Sequence, residues 1–140
     1  MSIQQSAVGV VTQGPYTLIG LKNPQAPDSS AGLWQLPGGL LNLDENSSQG
    51  VIRETKEETN IDVLVTKLLK VQPSKKGKIV YWYACTPTSY DVRAGSDLVA
   101  VRYVPTKEVA HHCQELYKHW PAEVKTYLQQ TLKQHAHHHL

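Results

Sequence analysis

Three glutamates lie within the segment "RETKEETN" at residues 53–60. If this segment is helical, Glu54, Glu57 and Glu58 are spaced i, i+3 and i+4, so they project from one face with Cβ atoms about 6 Å apart. Like-charge pairs at this spacing cost only ~0.2–0.5 kcal/mol each in water, so a solvated helix face is one interpretation and a shared ligand site is the other. The residues that precede the segment distinguish between these two interpretations.

The composition is that of one ordinary globular domain. The chain has 140 residues, of which 40% are hydrophobic and 19% charged, and its formal net charge is +2. This charge does not favour a nucleic-acid polymer as partner, and the sequence has neither an export signal nor an apolar run long enough for a membrane span. The two cysteines, Cys85 and Cys113, are too few for a disulfide framework and are expected to be packed apolar residues of a cytoplasmic protein.

Hydrophobic patterning predicts both strands and helices along the chain. A Gly-Pro pair at 14–15 predicts a hairpin turn, and the composition of residues 22–32 predicts a loop that contacts ligand. Strands are predicted at 7–11, 16–21, 62–71, 79–86 and 98–104, and helices at about 47–59, 106–112 and 121–134. Residues 1–134 are therefore interpreted as one domain, and the His-rich tail at 135–140 as a disordered end or a tag remnant.

The residues that precede the acidic helix favour a ligand site. The sequence Pro-Gly-Gly at 37–39 predicts a tight turn at which backbone can approach a ligand. Asn46 is a good N-cap and Gln49 can complete a capping box, which would hold the loop at 38–45 against the helix. Carboxylates that converge with loop oxygens are typical of an Mg²⁺ site, in which the cation keeps positions open for water and substrate phosphates.

The segment from Gly39 to Ile61, "GLLNLDENSSQGVIRETKEETNI", resembles the Nudix box, G-x5-E-x7-R-E-U-x-E-E-x-G-U, where U is a bulky aliphatic residue. The matching positions are Gly39, Glu45, Arg53, Glu54, Glu57, Glu58 and Ile61. Thr55 stands where an aliphatic residue is usual and should weaken the packing beneath the helix slightly. Asn60 replaces the second glycine but still accepts the left-handed conformation that ends a helix, so Asn60→Gly should be tolerated or mildly stabilising.

This resemblance implies an α/β/α sandwich around a mixed β-sheet. It also implies an enzyme that uses Mg²⁺ or Mn²⁺ to hydrolyse the pyrophosphate bond of a nucleoside diphosphate linked to another moiety. By the same resemblance, Glu54, Glu57 and Glu58 are metal ligands, and the Gly38 carbonyl is a further candidate ligand. A monomer or homodimer that acts on a small nucleotide is expected.

Arg53 and the general base are further parts of the implied site. The Arg53 guanidinium can bridge the helix carboxylates and, with Glu45, fix the geometry of the preceding loop, whereas an exposed surface arginine is the alternative. The family uses different residues as general base, so the base is left open between Glu57 and Asp97. An ordinary turn aspartate explains Asp97 equally well.

The second moiety of the substrate is expected to meet residues outside the box. Candidates for stacking on a base are Trp34 and one face of "YWY" at 81–83, of which we select Tyr81 and Tyr83. Core packing is the alternative for each aromatic residue. Gly39 and Asp97 are further candidate contacts. An ADP-ribose-like nucleotide sugar and a nucleoside triphosphate fit the compact chain equally. A catalytically silent nucleotide-binding or sensor domain is the alternative function, but such domains usually lose box carboxylates that are intact here.

Overall fold

The computed structural model describes residues 3–74 and 76–137, in which seven strands form one sheet with helices on both faces. The strands are β1 (Gln4–Gln13), β2 (Tyr16–Lys22), β3 (Trp34–Gln35), β4 (Gly38–Leu40), β5 (Val63–Pro73), β6 (Lys78–Pro87) and β7 (Leu98–Pro105). The helices are α1 (Ser47–Thr59), α2 (Val109–His112), α3 (Gln114–Tyr117) and α4 (Ala122–His137), and a 3₁₀ turn at Thr106–Glu108 leads into α2.

Strand β1 joins the two halves of the sheet. It runs parallel to β6 and antiparallel to β4 through its first part, and its last residues pair with β2 across the predicted hairpin. β2 pairs antiparallel with β3 and β7, and β6 pairs antiparallel with β5. The sheet is therefore mixed, as the family resemblance implies.

Two hydrophobic clusters cover the two faces of this sheet. Because successive side chains of a strand alternate between faces, β1 directs Ala7 and Val11 toward α1 and Val10 toward the C-terminal helices. Val51 and Ile61 complete the cluster on the α1 side. The other cluster contains Leu36, Trp82, Val104, Val109, Cys113, Trp120, Val124 and Leu128. This arrangement confirms the predicted α/β/α sandwich.

Helix α1 has the bounds and both caps that the sequence predicts. The Asn46 side chain accepts a hydrogen bond from the Gln49 N–H (2.9 Å), and the Gln49 side chain accepts one from the Asn46 N–H (3.0 Å), which completes the capping box. Asn60 ends the helix in the left-handed region with φ 64° and ψ 8°. Local sequence is sufficient here because each cap is made by residues within four positions of its partner.

The prediction of a tight turn at the Pro-Gly-Gly sequence is wrong. Gly38 and Gly39 lie in β4, where they pair with Val8 and Ala7 of β1. A Cβ on Gly38 would overlap the Ala7 carbonyl oxygen and lie 2.9 Å from the Val8 Cα. The glycine is therefore required by the close approach of a neighbouring strand rather than by turn conformation.

Smaller differences occur elsewhere. The single turn α3 is too short to produce a helical period and was not predicted. Helix α4 continues through His137, three residues past its predicted end, and the rest of the predicted tail, 138–140, lies outside the described residues. Cys85 and Cys113 are buried free thiols, as expected. No helix in the described part of the chain has the length and apolar character needed to cross a membrane.

Thr55 is the residue of α1 at which a stabilising substitution is expected. Its side chain is fully buried, and its hydroxyl has no hydrogen-bond partner among the residues that the structure describes. Thr55→Val keeps the shape and removes the cost of the unsatisfied hydroxyl, so the free energy of unfolding should rise by about 1 kcal/mol in urea denaturation.

Thr59 provides the matched control on the same helix. Its buried hydroxyl donates to the Thr55 carbonyl (2.6 Å) and accepts from the Ile61 N–H (3.2 Å). Thr59→Val should therefore lower the free energy of unfolding by about 1–2 kcal/mol. A loss of stability in Thr55→Val as well would mean that the Thr55 hydroxyl is hydrogen-bonded in solution.

Candidate functional site

Two carboxylates of α1 lie against the two glycines of β4. Glu58 is only 8% exposed, and its Oε1 accepts a hydrogen bond from the Gly38 N–H at 2.8 Å. Glu54 lies over Gly39, where a Cβ would come within 2.7 Å of the Glu54 carboxyl carbon. The absence of a side chain on Gly39 therefore makes the space that the Glu54 carboxylate occupies.

Arg53 connects α1 to the loop that precedes it. Its Nε donates to both carboxylate oxygens of Glu45 (3.0 and 3.2 Å), and its Nη2 donates to Glu45 (2.6 Å) and to the Leu40 carbonyl (2.9 Å). Its Nη1 donates to Glu54 and Glu57, at 3.2 Å in each case. The predicted bridge between the helix carboxylates and the loop is thus confirmed.

The surroundings of Glu54 and Glu58 raise the pKa of both carboxyl groups. Burial raises the pKa of Glu58 to about 8, against the opposing hydrogen bond from Gly38, and the negative charge of Glu54 raises it further. Among the weaker influences, Lys22 lowers this pKa and Asp97 raises it. Burial also raises the pKa of Glu54, although the charge of Arg53 acts against this effect. A nearby cation would favour the ionised form of both groups.

The donor atoms fit Mg²⁺ or Mn²⁺, although three carboxylates are not assembled in advance. Among the residues that the structure describes, no three His, Cys, Asp or Glu side chains converge as a metal cage. The Glu57 side chain is 49% exposed and is paired with Arg53. Mg²⁺ commonly takes one or two carboxylates and completes its shell with water and substrate phosphates. The oxygens of Glu58, which is buried, and of Glu54, which is partly buried, match that requirement.

A cavity of about 410 Å³ adjoins these glycines on the sheet face opposite α1. Trp82 and Trp120 form an aromatic corner in its wall, with ring centroids 6.1 Å apart and planes tilted by 56°. Trp82 Nε1 donates to Gln72 Oε1 at 3.1 Å, which fixes the orientation of both side chains. Other lining residues are Ser6, Val8, Lys22, Gln35, Leu36, Gly38, Gly39, Val80, Leu116 and His119.

Tyr81 and Tyr83 do not line this cavity. Both belong to the α1 side of the sheet, where the Tyr83 hydroxyl hydrogen-bonds with Ser47 and the Tyr81 hydroxyl donates to Gln5 (2.9 Å). The residue between them, Trp82, faces the cavity instead. The structure therefore does not bring the two tyrosines to this cavity, and their predicted stacking role stays a prediction.

Trp34 and Asp97 occupy different surroundings. The Trp34 ring lies under the Arg102 guanidinium, 4.7 Å from its carbon to the ring centroid, and it lines a separate cavity of about 130 Å³. It is therefore not brought to the larger cavity. Asp97 is exposed at the end of the loop before β7, close enough to Glu58 for its charge to affect that group. Of the predicted substrate residues, Gly39 lines the larger cavity.

Several cavity residues were not predicted. Gln35, Gln72, His119 and Trp120 have no local motif, and two of them follow the unpredicted helix α3. Lys22 is different, since it is the first residue of the loop at 22–32 that was predicted to contact ligand. Its side chain forms an ion pair with Asp28 in that loop.

Comparison with known proteins decides the family. A sequence model of the NUDIX domain matches residues 4–129. The chain belongs to the Nudix family. It is 34% identical over 113 residues to a "MutT-like protein" of Streptomyces ambofaciens, covering 80% of this chain and 70% of that protein. It is also 31% identical over 83 residues to Nudix hydrolase 2 of Arabidopsis thaliana, covering 55% of this chain but only 30% of the plant protein.

A solved Nudix structure has the same fold. An ADP-ribose pyrophosphatase from Streptococcus suis superposes with a TM-score of 0.65 at 21% identity, over 76% of each chain. At this level of identity the likeness concerns architecture alone. The mixed sheet and flanking helices of the Nudix domain are thus shared with this structure.

Proposed function

We propose that this Nudix domain hydrolyses the pyrophosphate bond of a nucleoside diphosphate linked to another moiety, in an Mg²⁺- or Mn²⁺-dependent reaction. The observation that carries this proposal is the placement of Glu54 and Glu58 against two glycines that also line a 410 Å³ cavity. Glu54 and Glu58 do not line this cavity themselves, but the two glycines that they contact do, and this arrangement suits a substrate whose charged phosphates lie near the carboxylates and whose base lies in the cavity.

The metal would be held by Glu54 and Glu58, with Glu57 and the Gly38 carbonyl as further donors, and would neutralise phosphoryl oxygens and lower the pKa of a bound water. Arg53 keeps Glu54, Glu57 and the Glu45 loop in one arrangement through its hydrogen bonds. Arg53 therefore acts on catalysis by fixing geometry.

The proton acceptor is proposed to be Asp97, with Glu57 as the other candidate. Both carboxylate oxygens of Glu57 already accept hydrogen bonds from Arg53 at 3.2 Å, so they are less free to accept one from an attacking water. Asp97 is exposed and lies near Glu58 without such an ion pair among the described residues. A carboxylate in this position can take the proton of the attacking water.

The cavity wall supports an aromatic base as the distal group of the substrate. The corner formed by Trp82 and Trp120 offers ring surface for stacking, and Gln35 and Gln72 offer amide groups for hydrogen bonds. Lys22 places a positive charge in the same wall, where substrate phosphates can meet it. An ADP-ribose-like nucleotide sugar and a nucleoside triphosphate both have the required phosphates and base.

The proposed reaction is tested by product analysis on a substrate panel. ADP-ribose, nucleotide sugars, diadenosine polyphosphates and ribo- and deoxyribonucleoside triphosphates are incubated with Mg²⁺ or Mn²⁺, and products are separated by chromatography. We expect a nucleoside monophosphate from at least one compound, little action on phosphomonoesters, and loss of hydrolysis when EDTA removes the cation.

Two outcomes would contradict the proposal. Cleavage of monophosphates with every diphosphate-linked compound untouched would exclude pyrophosphate hydrolysis. Tight binding of a nucleotide without cleavage, in the presence of either cation, would instead identify a catalytically silent binding domain.

A further inference from the structure

The loop at residues 88–97, called here the 88–97 loop, packs against the C-terminal end of α1. The Arg93 N–H donates to the Thr59 carbonyl and the Gly95 N–H donates to the Glu58 carbonyl, each at 3.0 Å. The last carbonyls of a helix have no partner within the helix, so such bonds are favourable at this position. The loop is therefore bonded to the turn of α1 that carries Glu58.

Gly95 is in close contact with the same turn. A Cβ on Gly95 would lie 2.5 Å from the Glu57 carbonyl oxygen, which is backbone and cannot swing aside as a side chain can. Any larger residue at this position would push the loop away from the helix. The contact fixes the distance between the 88–97 loop and the glutamates of α1.

Asn60 adds a bond that the usual glycine of the Nudix box cannot make. Its left-handed backbone ends the helix, and its side-chain Nδ2 donates to the Asp91 carbonyl at 2.9 Å. Glycine would supply the same backbone conformation without this bond. The departure from the family pattern thus ties the helix end to the 88–97 loop.

The far end of the loop leads directly to Asp97. Ser96 has a positive φ of 54°, which is uncommon for a residue other than glycine, and it reverses the chain just before Asp97. The Asp97 carbonyl accepts a hydrogen bond from the Asn23 N–H at 2.8 Å. Asp97 is therefore held between α1 on one side and the loop after β2 on the other.

We propose that Asn60 is a positioning residue that latches the 88–97 loop to α1 and thereby holds Asp97 near Glu58 for hydrolysis. The inference rests on the proposed function, because it assigns Asn60 a role in the same reaction. It differs from the expectation based on helix capping alone, in which Asn60→Gly is neutral or stabilising. The side-chain bond to Asp91, not the backbone conformation, is what the latch requires.

Amide hydrogen exchange tests the latch without reference to activity. Asn60→Gly keeps the left-handed backbone, and Asn60→Asp keeps the size, but neither side chain can donate to the Asp91 carbonyl. Loss of one such bond should increase exchange at the Arg93 and Gly95 amides about three- to tenfold in both variants. Wild-type exchange rates at these amides in both variants would overturn the inference.

Lys56→Gln is the matched control at the same helix end. Lys56 Nζ donates to the Asn60 carbonyl (3.2 Å) and pairs with Asp62, but it makes no bond to the 88–97 loop. Exchange at Arg93 and Gly95 should stay within about twofold of wild type in this variant. An increase equal to that of Asn60→Gly would show that general fraying of the helix end, rather than a latch, controls the loop.

Steady-state kinetics tests the link from the latch to the reaction. On the best substrate of the panel, and well below the melting temperature, Asn60→Gly should lower kcat about three- to tenfold while KM changes less than about twofold. Gly95→Ala should produce the same pattern because it displaces the loop directly. Faster amide exchange with an unchanged kcat in both variants would overturn the positioning role.

Failure of the proposed function would be distinguishable from failure of the latch. A wild-type chain that hydrolyses no compound of the panel would refute the proposed reaction and the role of Asn60 in it. The exchange measurement would still support the latch itself if the Arg93 and Gly95 amides exchange faster in Asn60→Gly, and would overturn it if they do not.

Discussion

Glu58→Gln should lower hydrolysis by about 100-fold or more and, in the metal-free protein at pH 8, raise the free energy of unfolding by about 2–4 kcal/mol. The loss of activity is expected because the substitution removes a charged oxygen donor from the proposed metal site. The gain in stability is expected because burial raises the pKa of Glu58 to about 8, from an ordinary value of 4.5. A neutral glutamine does not resist burial in this way.

The sign of the pH dependence follows from these two values. Well below pH 4.5 the carboxyl group is protonated in both the folded and the unfolded chain, so its raised pKa costs no stability. Between pH 4.5 and 8 the unfolded chain releases the proton and the folded chain retains it, so metal-free wild type loses stability as the pH rises. The difference between Glu58→Gln and wild type should therefore be small at pH 5 and largest at pH 8.

Glu57→Gln separates the two effects. Glu57 is also a proposed metal donor, so its substitution should remove most of the activity. Because its side chain is 49% exposed, the substitution should give little of the stability gain. Urea denaturation at pH 5 and 8 in EDTA measures the stabilities, and turnover at saturating Mg²⁺ measures the activity. Near wild-type turnover in both variants would show that the metal assignment is wrong.

The acidic helix was predictable because its determinants are local. The capping box joins residues three positions apart, and the spacing of the glutamates fixes the face on which they project. The bridge made by Arg53 spans only eight residues to Glu45 and thirteen to Leu40. Short-range features of this kind are contained in the pattern of the box.

The wall of the cavity was not predictable by the same reasoning. Alternation in β6 indicates that Tyr81 and Tyr83 share one face and that Trp82 has the other, but both faces of this sheet are covered by helices, so hydrophobicity does not show which face lines the cleft. Trp120 reaches the cavity only because the segment after α3 packs on the sheet. These positions depend on tertiary packing.

Asn60 combines one feature that the sequence predicts with one that it does not. Its left-handed conformation follows from its place at the end of a helical pattern. The partner of its side chain, Asp91, is 31 residues away and has no sequence signal. Conformation was therefore predicted correctly, whereas the long-range bond on which the proposed latch depends was found only in the folded chain.

The two adjacent glycines of β4 should respond to alanine in opposite ways. On Gly38 the added methyl group would meet the backbone of Ala7 and Val8, which cannot move without breaking the pairing of β1 with β4. Gly38→Ala should therefore lower the free energy of unfolding by about 2–4 kcal/mol. On Gly39 the methyl group would meet only the end of the Glu54 side chain, at 2.7–2.8 Å, and that flexible group can turn away.

Gly39→Ala should accordingly keep the free energy of unfolding within about 1 kcal/mol of wild type. Its kcat should fall about 10- to 100-fold, because a displacement of the Glu54 carboxylate by about 1 Å is enough for such a loss. Urea denaturation and initial rates on the same preparations compare the two variants directly. Wild-type turnover in Gly39→Ala would mean that the Glu54 carboxylate does not need its position over the glycine. Equal destabilisation by both substitutions would mean instead that Gly39, like Gly38, is required by strand pairing, because the Glu54 side chain would then have failed to relieve the contact.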